Sequence, residues 1–281
     1  MRSLPPLTAL TLSLGLLIAP APAPAAEEEV PAHLRAEEPP PTLRTETPSR
    51  DPVQEQLALA ANPLVPEAEA QRIFDELVAR GAAAVPSVAA VLRTPTSTDQ
   101  EAWVAARALG RLGGAGAKRA LLEGLLEPRI IVRLGAVSGL GLLADKETAE
   151  PLERALFDKA MVVRAAAADA LASIGSRQSS VALSKALNLP ANFHHGRSHF
   201  VRRHIVDALG RIGSIGGIEA LIGVLAEEEP PLQIAAAVAL ESITGTSFRT
   251  IGSAADSPPT AAEAAQWRSW WAQRSVGTIA E

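Results

Sequence analysis

Apolar positions recur along this chain in a phase that persists for most of its length. The run Ala108–Gly113, ALGRLG, supplies a reference leucine with counterparts at Leu109, Leu140, Leu171, Leu209 and Leu240, at intervals of 31, 31, 38 and 31 residues. Eight residues before it stand Glu101, Val132, Val163, Val201 and Leu232. Three after it stand Leu112, Leu143, Ile174, Ile212 and Ile243. The position four before it is small in four of five units: Ala105, Ala136, Ala167 and Ala236, with Ile205 the exception. Spacings of four, four and three place one apolar stripe on a first helix. A second pair, twelve and sixteen residues after the reference, is Leu in all four complete units: Leu121 and Leu125, Leu152 and Leu156, Leu183 and Leu187, Leu221 and Leu225. That pair marks a second helix. Gly113, Gly175 and Gly213 fall between the two, where a left-handed residue ends a helix. Each unit therefore reads as a helical hairpin that cannot bury both stripes alone, and stacking in register closes the core into an all-α solenoid. The glycines interrupt the uninterrupted heptads that a coiled coil would require.

Ahead of the regular units, Ile73, Phe74, Leu77 and Val78 share one face, Gly81 stops that helix, and Val85, Val88, Val91 and Leu92 begin another. Asp51-Pro52, with Gln54 after it, has the signature of a helix start, and Asn62-Pro63 would end it. Behind the units, Ser257-Pro258-Pro259 breaks the chain, Thr260 and Glu263 can form a reciprocal cap, and Trp267, Trp270 and Trp271 fall on one face of a last helix. Exposed, those rings would make a platform for a carbohydrate or a partner. Buried, they would plug the end of the array, which needs a distinct cap.

The units resemble the short HEAT-like repeats of bacterial proteins, including those of the phycobilisome lyase family. The likeness rests on IVRLGAVSGLG (131–141), VVRAAAADALASIG (162–175), VRRHIVDALGRIG (201–213) and GAAAVPSVAAVL (81–92), and spans roughly residues 67–250. It implies a solenoid of HEAT-like helical hairpins with a C-terminal capping helix. ITGTSF (243–248) followed by WRSWW (267–271) resembles the closing segment of other bacterial HEAT-like proteins, which implies a plug. Such repeats serve unrelated roles. Lyase activity does not transfer, because no catalytic residue can be matched.

Composition narrows the chemistry. The chain has 47% hydrophobic and 3% aromatic residues, with no Tyr and no Cys, so disulfides, thiolate metal sites and cysteine nucleophiles are excluded. Met1-Arg2, the apolar Leu7–Ala19 and the small residues that follow read as a signal peptide cut after Ala25, too short to span a membrane. The mature protein is expected to be periplasmic or secreted, with no stable membrane insertion. Residues 26–66 read as a Pro/Glu-rich linker whose composition cannot offset the entropy of ordering. From 27 to 70 there are ten acidic and three basic residues, against 21 and 22 from 71 to 281. The array, assigned to 67–255 with its capping segment at 256–281, is near neutral, which argues against nucleic-acid binding.

Two clusters remain. Arg133, Arg164 and Arg202 stand seven residues before the reference leucine in three consecutive units, a ladder that pairs internally or faces an anion. Glu127 and Asp158, six residues before the first two, are its expected partners. The long interval holds LPANFHHGRSHFVRRH (189–204), with His194, His195, Arg197, His199, Arg202, Arg203 and His204 and no carboxylate before Asp207. This insertion admits three readings: a metal site, disfavoured by the crowding arginines; an anion or acidic-partner site; or a solvated basic loop. GSIGG (213–217) lacks the Lys-Ser/Thr of a phosphate loop, and no Ser-His-Asp set or HExxH is present. The expectation is an exported, non-catalytic, monomeric scaffold without cofactor. It would bind a protein on its second helices, with the His/Arg loop as preferred contact. The alternatives are a periplasmic anion- or metal-binding protein and a divergent enzyme or lyase chaperone.

Overall fold

The computed structural model describes residues 51–252, 254 and 256–278, with side chains to Arg274. The expected signal segment and the linker as far as residue 50 lie outside the described residues. Within them the chain forms thirteen α-helices and one short β-hairpin.

First helices are α4 (Asp99–Leu112), α6 (Ile130–Leu143), α8 (Met161–Ile174), α10 (Phe200–Ile212) and α12 (Pro230–Thr244). Each packs on the next along the array. Second helices are α5 (Gly114–Gly124), α7 (Ala149–Ala155), α9 (Ser179–Leu187) and α11 (Ile218–Val224). The five reference leucines and the four leucines twelve residues after them are all buried in one continuous core. Gly113 combines φ 70 with an extended ψ of −168, whereas Gly175 and Gly213 end their first helices in the left-handed conformation, as the spacing predicts, and Ala144 occupies the same position at φ 51. For a residue with a Cβ that conformation costs about 1 kcal/mol, so Ala144→Gly should raise the melting temperature.

The small residues of α6 face α4 at backbone contact. A Cβ added at Gly139 would lie 2.6 Å from the Ala106 carbonyl oxygen and 2.7 Å from a Leu121 methyl. Backbone cannot move aside as a side chain does, so Gly139→Ala must separate the two helices. We expect it to lower stability by about 1–3 kcal/mol, read in thermal denaturation.

The first pair, α2 (Glu67–Ala79) and α3 (Val85–Arg93), buries Phe74, Leu77, Val85, Val88, Val91 and Leu92. Order begins earlier than composition suggests. α1 (Pro52–Ala60) lies inside the segment read as linker, packs on α2 and α3, and buries Leu57. Asp51 starts it, accepting from the Val53 N–H and from the Ser87 hydroxyl. Those bonds hold its carboxyl below the usual Asp range. The start of the packed unit is therefore near 51, at the Asp51-Pro52 helix start read from the sequence, inside the segment whose composition alone reads as linker.

At the other end α13 (Ala261–Thr278) lies against α11. Trp267 is 2% exposed and meets the Phe248 ring edge-to-face at 4.8 Å. Trp270 and Trp271 are half-buried against the same core. The rings act as a plug. Glu263 accepts from the Thr260 N–H (2.8 Å), the Thr250 N–H (2.6 Å) and the Thr250 hydroxyl (2.7 Å), while its own N–H donates to the Thr260 hydroxyl (3.2 Å). It caps α13 and ties the preceding loop to it. These donors, the Thr250 hydroxyl foremost, pull its pKa from 4.5 to about 2. A depressed carboxyl contributes stability that is present above its unfolded value and lost as pH falls through the folded one. The cap should therefore loosen between pH 4.5 and about 2, seen as a red shift of Trp fluorescence that Glu263→Gln shows already at pH 7.

Candidate functional site

The arginine ladder runs between repeats. Arg133 donates through Nε and Nη2 to the Asp158 carboxylate (2.8 and 3.0 Å) and through Nη1 to the carbonyls of Glu127 and Pro128. Its charged partner is thus in the following unit, and Glu127 serves only through its backbone. The pairing raises the Arg133 pKa. Burial pushes the Asp158 carboxyl upward, but Arg133 and the Ala160 N–H outweigh it and the net shift is down. Sequence proximity suggested the wrong carboxylate because an arginine seven residues before the reference points across the repeat boundary.

Arg164 repeats this geometry without a carboxylate of its own. It donates to the Asp158 and Lys159 carbonyls, to the Ala191 carbonyl and to Asn192 Oδ1 (2.8 Å). The insertion has displaced the acidic position of the next unit, and a buried amide takes its place. Burial among neutral oxygens lowers the Arg164 pKa. Asn192 in turn donates to the Ala186 carbonyl (2.8 Å) and accepts from the His199 N–H. The root of the insertion is therefore locked to two repeats.

From that root the chain projects a hairpin, β1 (Phe193–His194) paired antiparallel with β2 (Arg197–Ser198). His195 (φ 48) and Gly196 (φ 76) make its two-residue turn, the left-handed pair that such turns demand. On each outer edge the N–H is already bonded. The Phe193 N–H donates to the Pro190 carbonyl and the Ser198 N–H to Glu229 Oε1 (2.9 Å). A foreign strand would meet edges whose N–H donors are already taken.

The seven candidate residues separate into three groups. Arg202 is fully buried: it donates to Glu227 through Nη1 (2.5 Å) and Nη2 (2.7 Å), to the Ser198 hydroxyl and to the Leu187 carbonyl, with its guanidinium 4.4 Å from the Phe193 ring centre. It is a strut. Arg203 pairs with Asp207 (2.9 Å) on its own helix, and His204 Nδ1 meets the Asp169 carboxylate (2.9 Å) across α8 and α10. His194, His195 and Arg197 remain exposed on the hairpin, with His199 half-buried at the start of α10. Their imidazoles touch one another, His194 lying 4.1 Å from His195 and 5.9 Å from His199. Among the described residues no group of three or more His, Asp or Glu is placed to hold a metal ion.

The basic character read from the insertion alone is answered in space. Asp169, Glu227 and Glu229, distant in sequence, reach it. A groove of about 830 Å³ separates the hairpin from Glu227–Pro231. A second, of about 550 Å³, lies on the other side of Glu227 between α9 and α11, lined by Ser184, Lys185, Asn188, Glu219 and Ala220. These grooves were missed by sequence reasoning, although the Glu227–Glu229 run was a visible signal. No helix among the described residues is long and apolar enough to cross a membrane.

Residues 119–193 match the family model of HEAT repeats, so this part of the array consists of HEAT-like repeats. No curated protein sequence matches the chain. Among solved structures, it is similar to a designed armadillo repeat protein in complex with a (KR)4 peptide, at 18% identity over 69% of this chain and 100% of that one, TM-score 0.47. It is also similar to the CpcE–CpcF complex of phycocyanin lyase from Nostoc sp. PCC7120, at 22% identity over 74% and 81%, TM-score 0.42. An engineered protein matches at 22% identity over 69% and 89%, TM-score 0.44.

Proposed function

We propose that this protein is an exported, non-catalytic scaffold that holds another protein on the surface around its insertion. The observation that carries the reading is that the one break in the repeat is flanked by grooves on both sides of Glu227, one towards the second helices and one towards the hairpin. A solenoid places its recognition where the repeat departs from its period. The α9–α11 groove offers Lys185 from α9 and Glu219 from α11, with Ser184, Asn188 and Ala220 in its lining. Mixed charge at short range suits a folded or extended polypeptide better than a uniform polyanion. Export rests on the pattern of residues 1–25.

A photo-crosslinker at Ser184 in intact cells tests the reading. One dominant protein adduct is expected, lost when Lys185→Glu and Glu219→Lys are combined. Equal labelling with and without those changes, or no adduct, overturns the groove as the binding face.

A further inference from the structure

The hairpin-side groove has walls of opposite charge. One wall is the projecting hairpin with Gly196 and Arg197; the other is the acidic turn carrying Glu228, followed by Pro230 and Pro231. Arg197 and Glu228 are both exposed and form no ion pair among the described residues. Phe200, 48% exposed, opens the next helix beside this edge, and Arg203 Nη1 reaches the Pro231 carbonyl, which brings the starts of α10 and α12 together. Knob and hole therefore stand side by side, a cation on the knob and a carboxylate on the rim of the hole.

A patch of that kind is complementary to itself turned through a two-fold axis. A uniformly acidic partner would meet Glu228, and a uniformly basic one would meet Arg197; a second copy satisfies both at once. The outward N–H of each hairpin strand is already bonded, which leaves the contact to the side chains and the tip. We propose that the hairpin edge is the interface of a homodimer, each tip entering the other copy's groove and Arg197 facing Glu228 of the partner subunit. This takes the place of the monomer expected from sequence. It rests on the hairpin being a contact element and assigns that contact a second copy, leaving the α9–α11 groove for the heterologous partner.

Sedimentation equilibrium of the purified protein tests it by charge reversal. The unchanged protein should show a monomer–dimer equilibrium. Arg197→Glu and Glu228→Arg should each raise the dissociation constant at least about tenfold, because each sets like charges opposite one another across the two-fold axis. An equimolar mixture of the two variants should regain the dimer, since a carboxylate then faces a guanidinium at both symmetry-related contacts. Both residues are exposed, and an unchanged circular dichroism melt excludes unfolding as the cause. The proposal is overturned if the unchanged protein stays monomeric, if either single variant dimerises like it, or if the mixture remains monomeric. Failure here leaves the Ser184 adduct untouched, so the two readings are separable.

Discussion

Arg202→Ala is expected to cost about 3–5 kcal/mol, because it leaves Glu227 partly buried without its cation and removes the donors to the Ser198 hydroxyl and the Leu187 carbonyl at the same stroke. The loss should exceed that of Arg203→Ala, whose pair with Asp207 is half exposed and contributes about 0.3–0.5 kcal/mol as a helical neighbour. Chemical denaturation with both variants measures the contrast. A double variant, Arg202→Met with Glu227→Leu, should recover a large part of the loss, since an apolar pair removes the stranded charge along with its partner. Equal effects of the two single arginine changes would contradict the assignment of Arg202 as an internal strut. Because the guanidinium also lies over Phe193, hydrogen exchange at the hairpin should accelerate in Arg202→Ala before the rest of α10 responds.

Trp267→Ala is expected to cost about 3–5 kcal/mol at the C-terminal end, the range for deleting a buried ring. The side chain is one of the largest fully enclosed in the molecule and closes the last repeat against Phe248. A repeat array transmits stability between neighbours only, so α12 and α13 should melt in a separate, earlier transition while α4 to α10 keep theirs. Calorimetry would show two peaks where the unchanged protein shows one. Acrylamide should quench the remaining Trp270 and Trp271 more strongly in this variant than in the unchanged protein. A single transition shifted as a whole would mean that α13 is integral to the array rather than its cap.

Both predictions concern residues whose type was conspicuous along the chain and whose partners were not. The arginine ladder shows the reason. Arg133, Arg164 and Arg202 were found by their common phase, but their charged or amide partners, Asp158, Asn192 and Glu227, lie 25 to 28 residues further on. Glu127 was nearer in sequence and contributes only a carbonyl. The insertion was likewise visible as an interval of 38 against 31. Its charge was misjudged, because the acidic turn that faces it belongs to the following repeat.

Helical period, leucine spacing and the glycines between helices are properties of neighbouring residues, and burial then follows from the need to cover two apolar stripes. That is why the reference leucines, the left-handed caps and the Thr260–Glu263 cap could be read along the chain. Stacking decided the rest. The two grooves, the bonded edges of the hairpin, the backbone contact at Gly139 and the division of seven candidate residues into strut, surface pair and exposed tip all depend on which atoms of successive repeats meet. Those meetings are set by packing across a repeat boundary, and no periodicity within one repeat encodes them.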